Sequence, residues 1–302
     1  MTTTATDLTL APLRPDDAEA ASALAERVWR AYDVAHHRPV RPEATAEEVA
    51  ESVEGFARHA GREPEGAHAA WDDGRLVGVA LARRRERLWG LSLLIVDPDA
   101  QGRGVGARLL EAALAGGADA ELAMIVSSED PRAMARYRLA GFELHPTLKA
   151  TGRLAEEARA PVDGARAGDA GDLGWIDELG RSLRGARYGP DLAELAERAR
   201  LVVVERGGAR GWAFVREAGV VQAGATDPAT ARAVLRAALA ATAPSEHDIA
   251  VGEEARVRLL SAAQGWAVDV AIAAGLRLSP GPPLCLRGVA PPTPYLPHGL
   301  VF

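Results

Sequence analysis

Apolar positions along this chain follow two periods in turn, and the order in which they alternate predicts its elements. Residues 8–14 read as a short strand, and Pro15-Asp16-Asp17 then opens a helix with Ala21, Leu24, Val28 and Trp29 on one face. A second helix is expected over Ala46 to Ala60. His68 to Leu81 reads as a hairpin, because Asp73-Gly74 is a strong tight-turn signal between alternating apolar runs. The next strand, Leu88 to Val96, ends at Asp97-Pro98 and leads into a glycine-rich loop. After that loop Val105, Leu109, Leu110, Ala113 and Leu114 share one helical face, which Gly116-Gly117 ends. Glu121 to Val126 is a further strand, Pro131 to Ala140 a helix closed by Gly141, and Phe142 to Leu154 leaves room for two more strands.

The second half repeats this plan more weakly. Ala165-Arg166-Ala167-Gly168-Asp169-Ala170 echoes Leu13-Arg14-Pro15-Asp16-Asp17-Ala18. Asp227-Pro228 stands for Asp97-Pro98, and Val234 to Leu239 for Leu109 to Leu114, but the second interval is five residues shorter. Those five residues are in effect the glycine loop. Ala267 to Leu276 parallels Ala133 to Phe142, with Ala271 where Tyr137 stands. Three echoes in one order imply a duplication. Its boundary is expected near Glu157 to Asp163, giving domains 1–158 and 159–302.

Composition narrows the class. The chain has 302 residues, 48% hydrophobic and 25% charged, as expected of an ordinary globular protein. It has a single cysteine, Cys285, which reads as core, and no apolar run of 18 residues. The N-terminal stretch carries no leader-like pattern, and a cytoplasmic location without membrane partners is expected. Residues 1–158 hold 19 basic and 26 acidic side chains, whereas 159–302 hold 16 of each. The excess is densest from Glu43 to Asp73, where nine acids face two bases, Arg58 and Arg62. That field repels nucleic acid and favours cations. The cluster Arg83-Arg84-Arg85-Glu86-Arg87 reads as a solvated run split between two strand faces. The seven histidines lack a metal-binding spacing, Gly-x-Ser-x-Gly is absent, and no metal is expected.

The glycine loop admits two readings. Gly102-x-Gly104-x-x-Ala107 fits a dinucleotide fingerprint, but an antiparallel hairpin precedes it and the next strand ends in Ser127-Ser128 instead of an acid for a ribose. A phosphate-loop NTPase pattern is missing. The other reading rests on two motifs, Val96-Asp97-Pro98-Asp99-Ala100-Gln101-Gly102-Arg103-Gly104-Val105-Gly106 and Asp130-x-x-Ala133-x-x-x-Tyr137-x-x-x-Gly141-Phe142. Together with their flanking elements, over roughly residues 7–154, they resemble the GNAT superfamily of acetyl-CoA-dependent N-acetyltransferases. The whole chain then resembles a tandem-GNAT protein with a degenerate second copy. The fold class implied is α+β (mixed α/β), two GNAT-like domains each with a mostly antiparallel central sheet flanked by helices.

The chemistry of the loop supports that resemblance. A pyrophosphate needs backbone N–H groups without crowding side chains, which Gly102, Gly104 and Gly106 allow, and the start of the following helix adds unsatisfied donors and a favourable dipole. The expected coenzyme contacts are Gln101, Gly102, Arg103, Gly104, Val105, Gly106 and Ala107. The resemblance adds the backbone of Leu94, Ile95 and Val96 along the pantetheine arm, with Asp130 in place of the commoner asparagine. It implies acetyl transfer to a small-molecule or peptide amine by direct attack, in a monomer or homodimer. Tyr137 is the candidate general acid, Glu86 and Glu54 are candidate bases, and a backbone N–H of the Ile95–Val96 strand is a candidate for stabilising the oxyanion. The acid-rich segment favours a cationic acceptor. The rival function is a non-catalytic module that senses acyl-CoA or another ligand.

Overall fold

The computed structural model describes residues 8–37 and 39–299, so positions 1–7 of the N-terminal stretch lie outside the described residues. Its elements run through one order twice. The first half comprises β1 (Leu8–Pro12), α1 (Ala18–Ala35), α2 (Ala46–Arg62), β2 (Ala67–Asp72), β3 (Arg75–Arg85), β4 (Leu88–Val96), α3 (Val105–Ala115), β5 (Leu122–Val126), α4 (Pro131–Leu139) and β6 (Glu143–Gly152). The second comprises β7 (Ala165–Ala167), α5 (Leu173–Arg184), α6 (Pro190–Arg198), β8 (Arg200–Arg206), β9 (Ala209–Arg216), β10 (Gly219–Ala225) and α7 (Pro228–Ala240). It continues with the short α8 (Glu246–Ala250), then β11 (Ala255–Leu260), α9 (Gly265–Ala273), β12 (Arg277–Arg287) and β13 (Tyr295–Leu296). The class is the expected one, mixed α/β with mostly antiparallel strands flanked by helices.

Local chemistry explains the boundaries. Helix α2 starts at a capping box in which Thr45 Oγ1 accepts from the Glu48 N–H at 3.2 Å and the Glu48 carboxylate accepts from the Thr45 N–H at 2.7 Å. The β2–β3 turn places Asp73 and Gly74 both at positive φ, +49° and +76°, the conformation a two-residue hairpin needs. The duplication is visible in hydrogen bonds: Phe142 N–H donates to Tyr137 O and Gly141 N–H to Arg138 O, and Leu276 N–H donates to Ala271 O and Gly275 N–H to Ile272 O. Helices α4 and α9 therefore end in the same way.

The chain forms two compact units that differ from the two halves. One holds residues up to Arg84 together with Trp89–Ala120, and the other holds Arg85–Leu88 and everything from Glu121. In the first unit, strands β1 to β4 lie in sequence order. Val79 and Leu81 join Ala21, Leu24 and Phe56 in a core beneath α1 and α2. Strand side chains alternate between faces, so Gly78 looks the other way, toward α3. A Cβ there would sit 2.8 Å from Leu109 Cδ1, and its absence lets α3 lie close on the strands.

In the second unit the strand order is β5-β12-β6-β11-β10-β9-β8-β7, with β13 on β10. Only one strand, β6, follows Phe142, where the sequence left room for two. The missing neighbour comes from the far end of the chain: β12 pairs antiparallel with both β5 and β6, and β6 pairs with β11. Each half thus sends one strand, β6 or β12, between strands of the other. Sheet hydrogen bonds go to whichever edge is offered, and the exchange leaves no edge open at these positions.

The basic run before β4 is more than a solvated face. Arg85 places Nε and Nη2 on the Asp191 carboxylate at 2.9 and 2.7 Å, with side chains only 15% and 3% exposed. Arg84 pairs with Asp119 and Arg87 with Glu121, while Arg83 reaches Ser92 and His59.

Candidate active site

In the first unit, the segment Asp97 to Ala107 is shaped by its own polar groups. Buried Asp97 accepts from the Asp99 N–H at 3.1 Å and takes Arg27 and Arg75 at 3.4 and 3.3 Å. Gln101 Nε2 donates back to the Val96 carbonyl at 3.2 Å. The chain then turns through Gly102 and Gly104 at φ +78° and +81°, a region that costs an L-residue about 1–2 kcal/mol. Nothing lies within 4 Å of where a Cβ would stand at either glycine. The glycines therefore serve backbone conformation and leave open space above the loop.

Helix α3 begins on this loop with no side chain capping it. The Gly104 carbonyl accepts from Ala107 and Arg108. The N–H groups of Gly102, Gly104, Val105 and Gly106 donate to no backbone carbonyl among the described residues. Unpaired donors at the positive end of a helix dipole, with open space above Gly102 and Gly104, suit an anionic group. Of the other residues expected here, Leu94 and Val96 are half-buried and Ile95 is buried, while Gln101, Arg103 and Ala107 are exposed.

Arg103 is tied down by a residue that the sequence did not single out. Its Nη1 pairs with Asp72 Oδ2 at 2.6 Å, which holds the Asp72 carboxyl below its usual range. Asp72 Oδ1 is buried without a hydrogen bond. The sequence marked it only as one of the acids between Glu43 and Asp73, beside the Asp73-Gly74 turn; in the fold it ends β2, opposite Leu8 on β1.

Tyr137, Asp130 and Glu86 belong to the second unit. Tyr137 lies on α4 with its ring packed away, 5% exposed. Its hydroxyl has no hydrogen-bond partner among the described residues, and it is not among the sealed, unsatisfied polar atoms either. Burial, reinforced by the neighbouring Cys285, raises its pKa well above the ordinary phenol value, so the group keeps its proton at neutral pH. Cys285 itself, on β12, is pushed up to about 12 by burial and stays a thiol. Asp130 caps α4: it accepts from the Arg132 N–H at 2.8 Å and forks onto the Arg132 guanidinium. Its carboxylate is engaged within its own helix turn.

Neither candidate base is free. Glu86 is not on β4 but in the turn before it, at φ +49°, where it pairs with Arg181 at 3.1 Å and Arg187 at 3.7 Å. Glu54, in the first unit, is exposed on α2 and paired with Arg58.

The second half answers each feature differently. Asp227 caps α7 and accepts from the N–H groups of Ala229 and Thr230, both at 2.9 Å, and from Thr230 Oγ1 at 2.7 Å. Pro228 removes the donor at the first helical position. Ala271 is fully buried where its counterpart carries a phenol.

The sequence matches the acetyltransferase (GNAT) family profile over residues 23–142. Residues 23–142 are a GNAT acetyltransferase domain. The chain is accordingly an acyl-transferring enzyme, and its second half runs through the same element order as the first. Among solved structures, a protein from Pyrococcus horikoshii assigned as an acetyltransferase is 15% identical, covers 94% of this chain and 90% of its own, and has a TM-score of 0.68. GCN5-related N-acetyltransferases from Kribbella flavida and Sphaerobacter thermophilus are each also 15% identical. The former covers 95% of this chain and 72% of its own at TM-score 0.59, the latter 93% and 95% at 0.57. These likenesses extend the fold to both halves of the chain. No curated protein matches the sequence. Among the described residues no helix is long and apolar enough to cross a membrane, and no group of acids, histidines or cysteines is arranged to hold a metal ion.

Proposed function

We propose that this enzyme moves an acetyl group from acetyl-CoA to an amine by direct attack in a ternary complex, with the coenzyme held by residues 1–158 alone. The observation that carries the reading is the uncapped start of α3, where the N–H groups of Gly102, Gly104, Val105 and Gly106 meet no backbone carbonyl among the described residues and open space lies above Gly102 and Gly104. Gly102 to Ala107 would hold the pyrophosphate, and the backbone of Leu94 to Val96 would align the pantetheine arm. The amine attacks the thioester carbon, a backbone N–H near Ile95 or Val96 steadies the oxyanion, and the C–S bond then breaks. Tyr137 is the proton donor to the departing sulfur: burial keeps it protonated at neutral pH, though it also makes the phenol a weaker acid, which limits its share of the rate. The attacking amine loses its own proton to water, since Glu86 and Glu54 are both ion-paired. A cationic acceptor is favoured by the acid-rich segment from Glu43 to Asp73, although Glu48, Glu54 and Asp72 within it already have partners.

The test is a panel of primary amines, cationic and anionic, with release of the coenzyme thiol followed spectroscopically. Turnover that is best with cationic amines and falls with salt supports the proposal. The engagement of both candidate bases favours one competing reading, a module that binds acyl-CoA without turnover. Tight coenzyme binding with no thiol release across the panel would establish that reading instead.

A further inference from the structure

The second half contains a buried polar cluster that acyl transfer does not use. Arg184, the last residue of α5, is 1% exposed. Its Nη2 donates to the Arg187 carbonyl at 2.7 Å and its guanidinium lies 4.0 Å above the Tyr188 ring, but its Nε is sealed without a partner. No carboxylate pairs with it among the described residues. Tyr188 donates to the Tyr295 hydroxyl at 2.9 Å, and Gln222 Nε2 reaches that hydroxyl at 3.3 Å. The Trp212 ring packs 6.4 Å from that of Tyr295, centroid to centroid.

Two further polar atoms in this cluster are sealed and unsatisfied, Trp212 Nε1 and Gln222 Oε1. Turning the Gln222 amide over would give the Tyr295 hydroxyl an acceptor, but it would leave the amide N–H groups unmet instead. Either way the cluster, linked through Tyr188 and Tyr295, carries more unmet donors than unmet acceptors and includes one fixed positive charge. The arrangement is also built in: a Cβ at Gly180 would fall 2.3 Å from the Tyr188 ring, and one at Gly224 would fall 2.3 Å from the Trp212 ring. Helix α5 and strand β10 have thus given up side chains to seat these two aromatics. A lone buried guanidinium is expensive, and deleting donors would relieve it. Retaining the donors around it is the pattern of a receptor.

We propose that this cluster binds a small monovalent anion, with Arg184 as its counter-charge and Gln222 and Trp212 as further donors. A carboxylate of formate size is the best match to the flat guanidinium edge. The occupant would differ from the acyl donor in charge and size, and would bind within the copy whose helix start is self-capped.

The experiment measures the melting temperature of the full-length protein at constant ionic strength while sodium gluconate, too large for the cluster, is replaced by formate or by chloride. The expected result is a saturable rise of about 2 °C or more. A rise with formate alone assigns a carboxylate, and a rise with both assigns any small monovalent anion. Gln222→Glu supplies an internal negative charge and should lose the dependence. Trp212→Phe keeps the ring, removes one donor and should raise the half-saturating concentration about fivefold to tenfold, a readout available even if Gln222→Glu does not fold. A wild-type melting temperature indifferent to the anion overturns the proposal, and so does an undiminished response in Trp212→Phe.

Discussion

At the start of α3 the chain places Gly104 at the cap and leaves four backbone N–H groups without a protein acceptor, whereas at the start of α7 it places Asp227 and Pro228. The Asp227 carboxylate meets two N–H groups and two hydroxyls, and the proline removes another donor. Two helices from one duplicated plan have therefore reached opposite electrical states. The uncapped start costs stability, which a bound anion would return, while the capped start is stable alone and has nothing left to offer a phosphate. The second interval is five residues shorter and keeps the Asp-Pro pair, and its helix start is satisfied by its own side chain. The same contrast recurs at the helices that follow, where Tyr137 keeps a hydroxyl that Ala271 lacks.

The sharpest way to break this contrast is Gly104→Glu. It forces a side chain into a positive-φ position and brings a carboxylate to the pyrophosphate site, so coenzyme affinity should fall by about a hundredfold or more. Calorimetry on the wild type should give one acyl-CoA per chain, and two equal sites would refute the contrast directly. Next comes Tyr137→Phe, expected to lower kcat by about a hundredfold while leaving coenzyme affinity within about threefold. A folded variant with full kcat would make Tyr137 merely a core aromatic.

Asp227→Ala probes the other side of the comparison. It should cost about 1 kcal/mol in denaturant unfolding without creating a second coenzyme site, because the loop itself is missing. The Asp227 pKa is held down, first by the Thr230 N–H and then by the Thr230 hydroxyl. Its contribution is therefore present above the unfolded carboxylate value of about 3.9 and lost as pH falls through the lower folded value. The difference between wild type and Asp227→Ala should accordingly shrink in strongly acidic unfolding titrations. The smallest effect is expected for Asp72→Asn, which loosens Arg103 beside the loop and should raise the KM for the coenzyme only a few-fold, with kcat unchanged.

Much of this protein was legible in its sequence because the signals were local. Periodicity located α1 to α4 and β1 to β5 within a few residues, and Asp73-Gly74 marked its turn. Such features depend on residues a few positions apart, where backbone sterics and capping decide the outcome. Other features needed the folded chain. That β12 rather than a second local strand fills the place beside β5 is a choice among sheet edges offering identical backbone groups, and side-chain pattern does not distinguish them. Arg85 looked like part of a solvated run until Asp191, more than a hundred residues away, closed over it, and nothing along the chain set apart Arg184, whose Nε burial leaves without a partner. Charge can be counted along a chain, but its energetic meaning depends on the solvent and partners around it, which only the tertiary structure decides.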